Sequence, residues 1–234
     1  MINKKILWLV TARSGSKAIP NKNIKKIGSY TLLEHKIKSV VSLSFDQEIW
    51  LSTDSEKYAN IGKKAGAKVP FIRPQNISKD TSSSVDVVLH ALEYAKKNNY
   101  NFSYIGLLEP TSPFVKPSSL EDAFKLLLNN EEAEGIVAVK EIIPHKIFFQ
   151  DDDTYLIELS KNLKKIKKQN RQSFPVQITP SGGFYIYKVD RFFERKTFYS
   201  KKTLSFKLSG IESIEIDLPE DFDYAKYLYK INKL

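Results

Sequence analysis

Short apolar runs of strand length alternate with segments of helical periodicity from Ile6 to about Lys140, and no other feature narrows the possible folds of this chain as far. Ile6–Val10, Ile49–Leu51, Tyr104–Leu108 and Ile136–Val139 are nearly continuous in apolar character, as strands must be when both faces of their sheet are covered. Between them the periodicity predicts helices over Leu32–Val41, Ser55–Ala65, Ser83–Lys97 and Ser118–Leu128. In the third, Val85, Val88, Leu89 and Leu92 recur at three- and four-residue spacing and form a core-facing stripe. In the fourth, Leu120, Phe124 and Leu127 share one side. Alternation of this kind predicts an α/β fold on a doubly wound, mainly parallel sheet. Ligands bind such sheets beyond the carboxyl ends of the strands, so the residues after each strand become the candidate site.

The alternation stops near Glu141. From there to Pro180, short aromatic pieces, an acidic turn at Asp151–Asp153 and the lysine-rich run Lys161–Lys168 take its place. The chain is read as a single domain over 1–234, with 141–180 as an inserted lobe. Gly183–Val189 and Ile211–Asp217 are expected to return as strands. Leu218–Lys230 is expected to close the chain as a helix, with Pro219 and acidic residues early and Lys late.

Composition excludes several classes. The 234 residues include no cysteine, which rules out a disulfide scaffold, a thiolate zinc site and a cysteine nucleophile. Nothing near the N-terminus reads as an export signal, and no stretch approaches the ~20 apolar residues that span a bilayer. A cytoplasmic protein without a membrane partner is expected. The net charge of +10 suits nucleic acid, an anionic membrane surface or a small polyanion. The excess is mostly Lys spread along the chain, without interleaved aromatics or a nucleic-acid module signature, so no nucleic-acid partner is expected. His35, His90 and His145 are scattered, and Trp8 and Trp50 sit at strand positions that predict core.

Two segments carry chemistry. The first strand runs into Thr11-Ala-Arg-Ser-Gly-Ser-Lys-Ala-Ile-Pro-Asn-Lys-Asn23, which offers Gly15 for close backbone approach, two hydroxyls, and the cations Arg13, Lys17 and Lys22. Backbone amides in a concave turn favour an anion, and Arg adds planar bidentate bonding to phosphate. The loop fits neither the Walker A spacing nor the three-glycine dinucleotide pattern. Near the other end, Glu215-Ile-Asp217 on a strand would place two carboxylates on one face, with Ile214 and Ile216 opposite. Paired hard oxygens beside a polyphosphate suit Mg²⁺, which takes only one or two protein carboxylates. The pair has this value only if it lies near the first loop.

Further segments complete an ordered set: Ser52-Thr-Asp-Ser55, Arg73-Pro74, Asp80-Thr-Ser-Ser-Ser84, Pro110-Thr-Ser-Pro113, Arg171-Gln172 and Gly182-Gly-Phe-Tyr-Ile186. With Ala12-Arg-Ser-Gly-Ser-Lys17 and Pro20-Asn-Lys-Asn23, they resemble the acylneuraminate cytidylyltransferase family, enzymes that make CMP-activated sialic acids and related nonulosonic acids. The resemblance covers essentially the whole chain. It implies a nucleotide-diphospho-sugar transferase-like fold and a set of roles. Arg13, Lys17 and Lys22 would contact the phosphates of CTP, with Ser16 in the same loop, while Asn23, Arg73 and Ser84 would hold the cytidine. Lys146, Arg171 and Tyr185 would bind the sugar acid, with Arg171 facing its carboxylate. The resemblance also implies a homodimer in which an aromatic pair, Phe198 and Tyr199, closes the partner's sugar site, and makes 141–180 a lobe for dimerisation and sugar binding. Three positions depart from the family: Glu109 stands where a sugar-contacting Gln is usual, Ser181 replaces an Asn, and Glu215 replaces the first Asp of the metal pair.

The expected reaction is nucleotidyl transfer: the anomeric hydroxyl of a nonulosonic acid attacks the α-phosphorus of CTP and releases pyrophosphate. Arg13 and Lys22 would neutralise charge on the phosphates, and Asp217 with Glu215 would hold the metal. No side chain is required as a general base. Other readings stay open at this level. One is the same chemistry on 3-deoxy-octulosonate or another keto-sugar acid. Another is an enzyme-derived subunit without activity. The third is a non-catalytic nucleic-acid-binding protein, whose binding would weaken steeply with salt.

Overall fold

A computed structural model describes residues 4–142, 148–150, 156–158 and 176–232. The chain divides into two compact units, Met1–Val139 with Pro180–Leu234, and Lys140–Thr179.

The main sheet joins β1 (Ile6–Thr11), β4 (Gln47–Ser52), β5 (Tyr104–Leu108), β6 (Gly135–Ile142), β9 (Gln177–Lys188) and β10 (Thr203–Lys207), in the order β10-β6-β9-β5-β1-β4. β1 pairs in parallel with β4 and β5, and β10 pairs in parallel with β6. β9 runs antiparallel to β5, with Leu107 opposite Tyr185. A two-stranded ribbon of β2 (Lys26–Ile27) and β3 (Tyr30–Thr31) lies outside this sheet.

Alternate residues of β1 feed two cores, which is why its whole sequence is apolar. Ile6, Trp8 and Val10 pack with Leu33, Ile37 and Val40 of α1 (Leu32–Val41) and with Leu120, Phe124 and Leu127 of α4 (Pro117–Leu128). Leu7 and Leu9 pack on the other side with Val88, Ala91 and Leu92 of α3 (Ser84–Lys97). Both faces of the strand are fully buried, and full burial of one such side chain contributes roughly 1.5–3 kcal/mol.

Helix ends follow local chemistry. Thr31 and Glu34 form a capping box at α1, Ser55 caps α2 (Glu56–Ala65), and Ser83 caps α3. The start of α4 differs from the expected Ser118. Pro117 occupies its first turn, and the cap comes from far along the chain: Glu212 Oε1 accepts from Lys116 N at 2.8 Å and from Ser119 Oγ at 2.7 Å. The stripe of α3 is also rotated from the expected one. Val87, Val88, Ala91, Leu92 and Ala95 are buried, while Val85 and Leu89 are only partly so.

Three elements carried too little pattern to be expected: the β2–β3 ribbon, α5 (Val189–Arg195) and β10. Ile211–Asp217 is a correction in the opposite sense. It is not a strand of the sheet but a 3-10 turn, Gly210–Ser213, followed by extended chain. Ile216 is buried there among Ile19, Ile27, Leu32, Phe114 and Phe222, and its N–H donates to Thr111 O at 2.8 Å. α6 (Pro219–Asn232) follows, near its expected bounds.

One buried acid ties several of these pieces together. Glu134 accepts from Arg195 Nε and Nη2 at 2.6 Å each, from Ser200 Oγ at 2.8 Å and from Tyr187 Oη at 3.0 Å. These bonds, the Arg195 pair foremost, hold its carboxyl down to about 2.

In the second unit, β7 (Phe148–Gln150) and β8 (Leu156–Glu158) pair antiparallel, with Phe148 opposite Glu158. The acidic turn and the lysine-rich run lie outside the described residues.

Candidate active site

The loop after β1 is shaped by the strand beside it. Ala12 N–H donates to Ser52 O at 3.0 Å. Asp54, just past β4, accepts from both Ser14 N (2.8 Å) and Ser14 Oγ (2.9 Å). This clamp turns the loop back over the strand ends, where sheets of this class bind ligands. Asn21 then adopts a left-handed conformation at φ 56°, and the chain enters a short 3-10 helix, Lys22–Ile24. The Asn23 side chain is buried and donates to Arg13 O at 3.1 Å, closing the loop on itself.

The acidic segment meets this loop. Lys22 Nζ donates to Ile216 O at 2.7 Å and lies 3.1 Å from Asp217 Oδ1. A cleft of about 500 Å³ is lined by Arg13, Ser16, Lys17, Lys22, Asn23, Arg73 and Ser84 and also by Glu109, Glu215 and Asp217. All the proposed nucleotide and metal positions therefore share one cavity, although residues 11–23 and 215–217 stand at opposite ends of the sequence.

Cations in the cleft are partly engaged. Asp80 bridges Arg13 Nη1 and Lys17 Nζ, the latter at 2.6 Å. The hydrogen bonds from Lys17 and Arg13 draw the Asp80 carboxyl below its ordinary range. An acid thus stands where an anionic ligand of these two side chains would sit. Arg73 is buried; its N–H donates to Thr53 O at 2.7 Å and its Nε to Ser78 Oγ at 3.1 Å, while Nη2 is buried with no partner. Burial lowers its pKa, with Asp54 opposing and Arg13 adding to the shift. An orphaned guanidinium donor lining a cavity calls for an acceptor from a ligand.

Acids gather at the other end. Glu109 follows β5, half-buried, and burial together with Glu215 pushes its carboxyl up to about 7 against the opposing charges of Lys36 and Lys22. Glu215 is seated on Gly182. A Cβ there would come 2.4 Å from Glu215 Oε1 and 3.1 Å from Ser112 Oγ, and φ is +64°. Only glycine both adopts that conformation without strain and leaves room for the carboxylate. Burial, followed by the charge of Glu109, raises the Tyr185 phenol well above its ordinary pKa; its ring lies 5.3 Å from Phe198 and 6.4 Å from Tyr199.

Glu215 and Asp217 fit a hard cation that takes most of its ligands from substrate phosphates. They offer carboxylate oxygens beside the cationic loop, and among the described residues no cluster of three or more His, Cys, Asp or Glu could enclose a metal ion unaided.

Some expected positions fall elsewhere. Lys146 and Arg171 lie outside the described residues. Phe198, expected to close a partner's site, is 5% exposed and packed against Phe192 and Tyr187 within the core of this chain. Its neighbour Tyr199 is 54% exposed. Asp54, Thr111 and Asp80 stand in segments that the sequence singled out, but their roles as clamp, anchor and counter-ion were not legible there, and Lys36 escaped the sequence reading altogether. A lone acid or hydroxyl in a loop gives no signal of the distant group it will meet.

A family profile described as cytidylyltransferase matches residues 7–234. The chain is 31% identical over 98% of its length to a CMP-N,N'-diacetyllegionaminic acid synthase of Legionella pneumophila, of which it covers 98%. It is 28% identical to a pseudaminic acid cytidylyltransferase of Campylobacter jejuni, covering 97% of each chain. Its fold is similar to that of a solved CMP:2-keto-3-deoxy-manno-octonic acid synthetase complexed with CTP, with a TM-score of 0.68 at 15% identity over 98% of this chain and 100% of that one. Among the described residues, no helix is long and apolar enough to cross a membrane. This chain belongs to the cytidylyltransferase family of nucleotidyltransferases.

Proposed function

We propose that the protein transfers CMP from CTP to the anomeric hydroxyl of a nonulosonic acid and releases pyrophosphate. The observation that carries this reading is the contact of Lys22 with Ile216 O and Asp217, which joins the cationic loop to the acidic segment across one cleft. The names of the relatives from Legionella pneumophila and Campylobacter jejuni support the acceptor class.

In this mechanism Arg13 and Lys17 exchange Asp80 for the triphosphate, and Lys22 neutralises charge that builds on the phosphates during displacement. Asn23, Arg73 and Ser84 hold the cytidine, with Arg73 Nη2 as the unmatched donor. Glu215 and Asp217 hold Mg²⁺, which when bound would neutralise phosphate charge and lower the pKa of the attacking hydroxyl. Glu109 and Tyr185 face the sugar acid. Two further parts belong to the proposal: a homodimer, with Tyr199 the exposed aromatic available to a partner and residues 141–180 serving dimerisation and sugar binding, and a cytoplasmic location.

The test is pyrophosphate release with CTP, Mg²⁺ and a panel of sialic, legionaminic, pseudaminic and octulosonic acids. Release with a nine-carbon acid supports the reading. Release with octulosonate alone moves the acceptor class, and no release with any acid refutes the reaction.

A further inference from the structure

Lys36 is fully buried, and no other lysine among the described residues is buried. It sits on α1 among the core residues Leu33, Ile37 and Val40, where the helical pattern calls for an apolar side chain. Its Nζ donates to Gly183 O at 3.1 Å. Burying an ammonium is costly unless an anion compensates it. Strand register places Glu109 beside it: Leu107 faces Tyr185 across antiparallel β5 and β9, so two residues further on Glu109 comes level with Gly183, the residue whose carbonyl Lys36 holds. Burial draws Lys36 down to about 7, and Glu109 opposes that shift.

Glu109 has the complementary problem. It lines the cleft close enough to Glu215 and Asp217 for both to act against its ionised form, with Lys36 and Lys22 opposing them. Lys22 is bonded to Asp217, and among the described residues Lys36 is the cation that acts most strongly on Glu109. The same ammonium holds the carbonyl next to Gly182, the seat of Glu215. One buried side chain therefore touches both the charge and the geometry of the acidic end of the cleft.

We propose that Lys36 is a positioning residue for the acceptor: by balancing Glu109 and fixing the Gly182–Gly183 stretch of β9, it allows a carboxylate at position 109 to face an anionic sugar acid. In its ionised form, which Lys36 favours, Glu109 only accepts hydrogen bonds, so that form selects an acceptor that presents an N–H or O–H donor there. This rests on the acceptor class proposed above.

The test is a double-mutant cycle on the full chain with Lys36→Met, Glu109→Gln and the double variant, using N,N'-diacetyllegionaminic acid as the probe. Met is unbranched like Lys, one heavy atom shorter, and suits a buried helical position. Lys36→Met should lower kcat/KM for the acid by roughly tenfold or more, while the Kd for CTP stays within about twofold. The double variant should recover to within roughly threefold of wild type, since no charge is then left unbalanced. Losses that multiply in the double variant would overturn the proposal, as would equal losses in CTP binding and acceptor turnover. The cycle is also read in melting temperature. If the wild-type chain turned over no acid, the proposed reaction would fall, and coupled melting shifts would still support the charge pair while additive ones would overturn it.

Discussion

Substitution of Gly182 by Ala tests whether the position of Glu215 is built into the backbone. Two costs arise from the geometry. At φ +64° an L residue is strained by about 1–2 kcal/mol. The new Cβ would also lie 2.4 Å from Glu215 Oε1 and 2.9 Å from its Cδ. Relieving that contact requires a retreat of roughly 1 Å, since comfortable heavy-atom separations are about 3.5–4.0 Å. For a chain of this size each kcal/mol lowers the melting temperature by about 2–4 °C, so the strain alone should cost roughly 2–8 °C. A misplacement of ~1 Å can cost up to ~10²-fold in rate, so turnover should fall by between about ten- and a hundredfold, with a raised requirement for Mg²⁺. Thermal melting and pyrophosphate release under metal titration measure both effects. Adding Glu215→Asp withdraws the carboxylate by about one C–C bond, ~1.5 Å, which should restore the steric part of the stability and leave the backbone strain. A Gly182→Ala protein that melts and turns over like wild type would refute the reasoning.

Arg13→Ala and Asp217→Ala should each cut turnover by at least ~10²-fold, the scale of losing a charge-stabilising group; wild-type-like rates in steady-state assays would remove those roles. Asp80→Asn should tighten CTP binding by roughly two- to fivefold at low salt, because the acid competes with phosphate for Arg13 and Lys17, and calorimetry should show the gain shrinking as salt rises. Weaker binding would instead mean that Asp80 preorganises the two cations. Glu134→Gln should cost about 2 kcal/mol of folding stability by removing the charge that Arg195, Ser200 and Tyr187 address. Because the folded pKa of Glu134 is depressed to about 2, its contribution is present above its ordinary carboxyl range and is lost as pH falls from there toward about 2. Chemical denaturation across that window should be flatter for the variant than for wild type.

Much of the scaffold was legible because β1 and β5 are buried on both faces and leave unbroken apolar runs. Periodicity placed α1 exactly and α2 and α3 within one residue. It failed where the signal lies in distant partners. β10 reads Thr-Leu-Ser-Phe-Lys, an edge strand with too few apolar residues to stand out. Ile211–Asp217 has the alternation of a strand because Ile214 and Ile216 do point into a core, but the backbone bonds to Thr111 rather than to the sheet. In the site, the cationic loop and the acidic pair could be named from composition and spacing. Lys36 could not, since a lysine on a helix looks like surface until its burial is known. Phe198 matched a family pattern by position, yet the ring is buried in the core of this chain.

The segment that carries Glu215 and Asp217 is held by remote anchors, Glu212 at the start of α4, Ile216 on Thr111 and Lys22 on Ile216 O and Asp217, instead of lying in a ladder of strand bonds. Detaching it would leave the six-stranded sheet whole. The two acids proposed to hold the metal thus belong to a strap whose opening is separable from global unfolding, and amide exchange there should proceed by local release while the strands stay protected. A ligand that grips both Lys22 and the acids would fasten the strap from the solvent side, so readiness for chemistry and stability of the scaffold can vary independently.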